Sequence, residues 1–101
     1  VKPRLILSEK AEADLEEIAA HIAEESPRAA VQVIAAIRAK CELIALQPLL
    51  YPVREDIASG FRRALANPYG LWFQLLPDGS VRIERIVHGA RDLPSLLKGG
   101  E

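Results

Sequence analysis

Two apolar stripes of helical period, separated only by a short break at Ser26-Pro27, constrain the fold of this chain more than any other feature. In the first stripe Ala11, Leu15, Ile18, Ala19 and Ile22 recur at three and four residues. That spacing lines them along one side of a helix and turns Glu12, Glu16 and Glu17 mostly to the other, so the acidic run reads as a solvated face. Ser8 precedes the stripe as an N-cap, and Glu9 and Glu12 fall in the first turn, where carboxylates favour the positive end of the helix dipole. In the second stripe Ala30, Ile34, Ile37, Cys41 and Ile44 repeat the pattern to about Leu46, and Gln47-Pro48 ends it. A capping serine followed by a proline at the first helical position stops one helix and starts the next almost at once. So short a connection forces the helices antiparallel. Two stripes turned the same way then need a sheet to cover.

The strands that supply it are short. Leu5-Ile6-Leu7 reads as the first, and residues 48–60, punctuated by Pro48, Pro52 and Gly60, as an irregular connection. Phe61 to Ala66 forms the next strand, with Phe61 and Leu65 on one face and Arg62 on the other. Asn67-Pro68 turns the chain into Tyr69 to Leu76, which is apolar on both faces apart from Gln74 and therefore reads as a central strand. Pro77-Asp78-Gly79-Ser80 is a strong turn into a hairpin. The last strand opens at Val81 and alternates apolar with charged until Arg85 falls on the face begun by Val81 and Ile83, and Ile86 on the opposite one. Either both faces are covered or a bulge re-aims the later side chains. The strand ends at His88-Gly89, Leu93 to Leu97 adds a helical turn, and residues 98–101 fray. The expected fold is α+β, in the order β-α-α-β-β-β, with an antiparallel helical hairpin on one face of a small, mainly antiparallel sheet, all in one domain spanning 1–101.

Charge and composition narrow the function. Residues 1–60 hold seven basic and ten acidic side chains, net −3, and residues 61–101 hold six basic and four acidic, net +2. The asymmetry permits an anionic partner on the C-terminal half but falls well short of a dedicated nucleic-acid binder. One cysteine excludes an internal disulfide, and with His21 and His88 the only histidines, no structural Cys/His zinc site can be assembled. Cys41 reads as a small core residue. No apolar run is long enough to span a membrane, so a cytoplasmic protein is expected. Arg62, Arg63, Arg85, His88 and Arg91 gather cations and an imidazole around the strand ends, where a rigid sheet positions binding groups. Trp72 is either core or, if it lies away from the helices, an interface anchor.

The run Arg85-Ile86-Val87-His88-Gly89-Ala90-Arg91-Asp92, followed by Leu93, resembles the C-terminal strand of the ParE-type toxins of the RelE/ParE toxin-antitoxin superfamily. Leu7-Ser8, the block from Ala11 to Ile18, Ser26-Pro27 and Pro48 extend the resemblance over nearly the whole chain. It implies the toxin of a bacterial type II system, of the kind that stabilises plasmids, acting on DNA gyrase and needing no cofactor or metal. A ParD-like antitoxin would neutralise it in a heterotetramer or larger complex and would make the only contact with operator DNA. Arg62, Arg63, Arg85, His88 and Arg91 are then the target-binding candidates. Leu71, Trp72, Leu76 and Ile86 imply an apolar second face for the antitoxin. The alternatives are a RelE-like ribosome-dependent mRNA endonuclease and a non-toxic binding or co-repressor module. Against the nuclease, Phe73 and Gln74 stand where active relatives place tyrosine and arginine, and Pro68 where an arginine is common. His88 also has no evident tyrosine or acidic partner at the neighbouring strand end. Binding without a catalytic residue is the expectation.

Overall fold

Ser8 joins the first strand to the first helix and ties both to the last strand. A computed structural model describes residues 4–55 and 60–89. Within them β1 (Leu5–Leu7) leads into α1 (Glu9–Ala23), where Ser8 Oγ accepts the Ala11 N–H at 3.0 Å as the N-cap. The helix α2 (Pro27–Leu46) starts with Pro27 in its first turn and with Ser26 Oγ accepting the Ala29 N–H at 3.1 Å. A single 3-10 turn over Pro48–Leu50 follows, and then β2 (Arg62–Ala66), β3 (Tyr69–Leu75) and β4 (Val81–His88). The helical segments begin and end where the caps and prolines put them, because those signals are local.

The four strands form one sheet in the order β1-β4-β3-β2. β1 pairs with β4 in parallel, and the β2–β3 and β3–β4 pairs are antiparallel. A parallel neighbour for β1 follows from the connection, because the helical hairpin and two more strands intervene before the chain returns beside it. Gly79 holds φ +89° in the hairpin turn, a conformation that favours glycine over residues with a Cβ. Ala11, Leu15, Ile37, Cys41 and Ile44 from the helices meet Leu71, Phe73, Val81, Ile83 and Ile86 from the sheet in a single core. On β2 the buried residue is Ala64, and Leu65 points to solvent, so the core-facing side is the one begun by Arg62.

The broken alternation in β4 is a bulge. Trp72 pairs with Arg85 and Phe73 with Ile83, leaving Glu84 as the extra residue. Ile86 thereby joins Val81 and Ile83 in the core. A bulge strands backbone groups that must find other partners, and here the start of the chain supplies them. The Ser8 N–H donates to Ile83 O at 3.0 Å, the Ser8 hydroxyl donates to Glu84 O at 2.8 Å, and the Ile86 N–H donates to Asp14 Oδ2 at 2.9 Å. The segment expected as a helical turn at Leu93 to Leu97, and the tail after it, lie outside the described residues.

Candidate interaction surfaces

The described arginines among those grouped by sequence do three different jobs. Arg85 Nε and Nη2 each donate to an oxygen of Asp14 at 2.9 Å, and both side chains are largely buried, at 15% and 13% exposure. That contact keeps the guanidinium firmly protonated, its pKa raised by the hydrogen bond to Asp14. Its partner is thus Asp14 on α1, while Glu84 pairs with Arg82 at 2.6 Å. Arg62 donates from Nη1 to Tyr51 O at 2.7 Å and pins the loop against the edge strand. Arg63 lays its guanidinium 5.6 Å from the centre of the Trp72 ring, with Nε shut off from solvent and without an acceptor. Arg91 lies outside the described residues.

His88 is exposed at the end of β4 and sits directly across from Tyr69 in the strand register. The two rings meet edge to face, centroids 5.5 Å apart and planes at 86°. The expectation that His88 lacks a tyrosine neighbour is therefore corrected. Pairing β3 with β4 brings Tyr69 there, and only the hairpin register reveals it. Phe73 is fully buried, Gln74 accepts from Arg82 at 3.4 Å, and Pro68 O accepts the Gly89 N–H at 2.7 Å.

The four residues expected to share an apolar second face do not share one. Leu71 and Ile86 are 0% and 2% exposed in the core beneath the helices. Trp72 follows Leu71 in an unbroken stretch of β3 and so points to the opposite side, where it is 5% exposed under the guanidinium groups of Arg54 and Arg63. Leu76 is half-buried just past β3. Alternation separates Leu71 from Trp72, and the bulge sends Ile86 inward.

An apolar surface does exist, and it is built elsewhere. Leu43 and Leu46 of α2 and Leu49 and Leu50 of the 3-10 turn are all exposed, Leu49 at 73%. Two clefts run through this side. One of about 550 Å³ lies between Val33, Ile37 and Leu43 of α2 and the Ala66–Tyr69 turn. The other, of about 500 Å³, is lined by Leu46, Pro48, Leu49, Leu50 and Leu75. The signal was present in the sequence, because Leu43, Leu46, Leu49 and Leu50 are apolar positions left over when the α2 stripe is assigned. Large exposed apolar patches of this kind mark binding surfaces.

Two further groups have settled states. Burial pushes the Cys41 thiol up to about 11, so it stays protonated and inert. The Ser80 N–H, followed by Arg4, holds the Asp78 carboxyl down at about 2. Among the described residues no three His, Cys, Asp or Glu side chains are grouped to hold a metal, and no helix is long and apolar enough to cross a membrane.

The described residues thus form an α+β architecture, a helical hairpin on one face of a four-stranded mixed sheet. The family model for the ParE toxin of the type II toxin-antitoxin system parDE matches residues 5–93, and the chain belongs to that family. A solved structure described as the chromosomal ParDE toxin-antitoxin system from P. aeruginosa shares the fold, with a TM-score of 0.75 at 22% identity, over 87% of this chain and 97% of that one. No curated protein matches the sequence significantly.

Proposed function

We propose that this ParE-family toxin acts in the cytoplasm by binding and inhibiting DNA gyrase, and that a cognate ParD-like antitoxin neutralises it in a heterotetramer or larger assembly. The observation that carries binding over cleavage is Arg85. A nuclease needs cations and a proton donor and acceptor converging on the scissile phosphate, whereas Arg85 is held two-point by Asp14 inside the fold. The buried Phe73 supports the same reading, because the place where active nuclease relatives carry tyrosine is packed into the core.

The apolar clefts beside α2 and the 3-10 turn suit the antitoxin. An antitoxin segment that folds on docking gains most from apolar pockets at α-helical spacing, and Leu43 and Leu46, three residues apart on α2, line one cleft each. Arg63, His88 and Arg91 remain the target-binding candidates, and Arg62 and Arg85 act as scaffolding. In a supercoiling assay the purified protein should inhibit gyrase, and equimolar antitoxin should restore activity. Unimpeded supercoiling at saturating toxin would sink the proposal.

One observation favours a second reading, the ribosome-dependent endonuclease. Tyr69 and His88 lie together at an open strand end. Their edge-to-face contact is apolar packing and forms no proton relay. His88→Gln should retain gyrase inhibition, and its loss together with rapid message cleavage by the parent protein would restore the nuclease.

A further inference from the structure

The larger cleft and the end of β4 meet at one side chain. The cleft lies between α2, where Ala36, Ala39 and Leu43 line it, and the Ala66–Tyr69 turn. Tyr69 belongs to this second wall, and its ring also packs edge to face on the exposed His88, centroids 5.5 Å apart. The backbone ties the same two places together, since Pro68 O accepts the Gly89 N–H at 2.7 Å. Tyr69 is half-buried against the core and held in register with His88 by the β3–β4 pairing, so this wall is a fixed one. Among the described residues Lys40 is the one charged side chain that lines the cleft, its ammonium 5.5 Å from the centre of the Tyr51 ring. An amphipathic helix with a carboxylate beside its apolar residues matches both the lining and that charge, and an antitoxin segment that folds on docking takes this form.

We propose that the antitoxin neutralises this toxin by exclusion at Tyr69, the segment seated in the cleft filling the space beside His88 that the target needs. The proposal rests on the reading of the cleft as the antitoxin's dock and of His88 as a target contact. Distances favour direct exclusion over a change relayed through the fold. A side chain that touches Tyr69 at about 4 Å comes within about 10 Å of His88, no more than the width of one helix with its side chains. Two packed helices keep their axes about 8 to 10 Å apart. A docked segment and a target element therefore cannot both reach this strand end, and no second conformation of the toxin is required.

The chain has two histidines, and His21 lines a separate hollow with Glu25, Ser26 and Ala29, so NMR of the imidazoles reads the site against an internal reference. When the full-length protein is titrated with its cognate antitoxin, the His88 ring signals should shift saturably and those of His21 should stay in place. On immobilised gyrase, antitoxin should displace the toxin, and no complex should hold all three proteins. Tyr69→Leu should weaken the binding of both antitoxin and gyrase by about tenfold, and Tyr69→Phe, which keeps the ring, should restore both. If Tyr69→Leu proves unstable by thermal unfolding, the parent's His88 signals and the displacement carry the test. Bound antitoxin that leaves His88 unmoved, equal shifts at both histidines, a three-protein complex, or a loss in Tyr69→Leu confined to one partner would each overturn exclusion at Tyr69. His88 signals that move with the concentration of toxin alone would assign the cleft to a second copy and overturn it too. If antitoxin moves His88 while the parent protein leaves gyrase untouched, the gyrase reading falls and the shared surface stands. Absence of antitoxin binding overturns both.

Discussion

Asp14 does the work of a missing strand. Beyond Ile83, β1 no longer pairs with β4, and the Ile86 N–H turns to Asp14 while Arg85 grips the same carboxylate. Asp14→Ala takes from a largely buried guanidinium and from the Ile86 N–H the acceptor they share, and should cost about 3 kcal/mol by urea denaturation. Asp14→Asn, which keeps an acceptor for Ile86, should cost less. Asp14 was not legible in the sequence, because a carboxylate beside an apolar stripe looks like its neighbours Glu12 and Glu16, and its partner lies 71 residues away. Asp78 gives a second test at this scale. Its folded pKa, about 2, lies below the unfolded value of about 3.9. Its stabilisation is therefore present above about pH 4 and lost as pH falls toward 2. Urea midpoints of the parent and Asp78→Ala should differ at neutral pH and converge near pH 2. Persistent separation at acid pH would assign the effect to the turn backbone instead.

At the scale of elements, the helical hairpin was legible almost to the residue, since its caps, prolines and period are local signals. Leu15→Ala and Ile37→Ala remove side chains that are 3% and 1% exposed and should each cost about 2 to 5 kcal/mol. Near-zero losses at both would contradict the packing of the hairpin on the sheet. The sheet was legible in its strands and less so in its faces. The slipped alternation at Arg85 announced an irregularity, but only pairing with β3 decides that Glu84 is the extra residue and Ile86 turns inward. The same non-local pairing brought Tyr69 beside His88 and parted Leu71 from Trp72. Binding surfaces inferred from strand composition alone inherit that uncertainty, whereas Leu43 and Leu46 could be read from the period of α2.

Across the whole molecule, two surfaces of opposite character are held apart by one small core. The apolar side follows α2 and the 3-10 turn, and the arginine-flanked tryptophan lies on the sheet face away from the helices. Assigning the antitoxin to the first leads to a prediction that separates folding from neutralisation. Leu46 and Leu49 are exposed, so replacing both with glutamate removes little packing and should change the unfolding free energy measured in urea by no more than about 0.5 kcal/mol per site. In a docked complex the same carboxylates would have to enter an apolar interface, at a cost of several kcal/mol unless they find partners. The double variant should therefore unfold like the parent, fail to form a complex with antitoxin on size-exclusion chromatography, and remain toxic when antitoxin is co-expressed. A complex of unchanged affinity would move the antitoxin off this surface. Loss of folding in the free protein would show that Leu46 and Leu49 belong to the core.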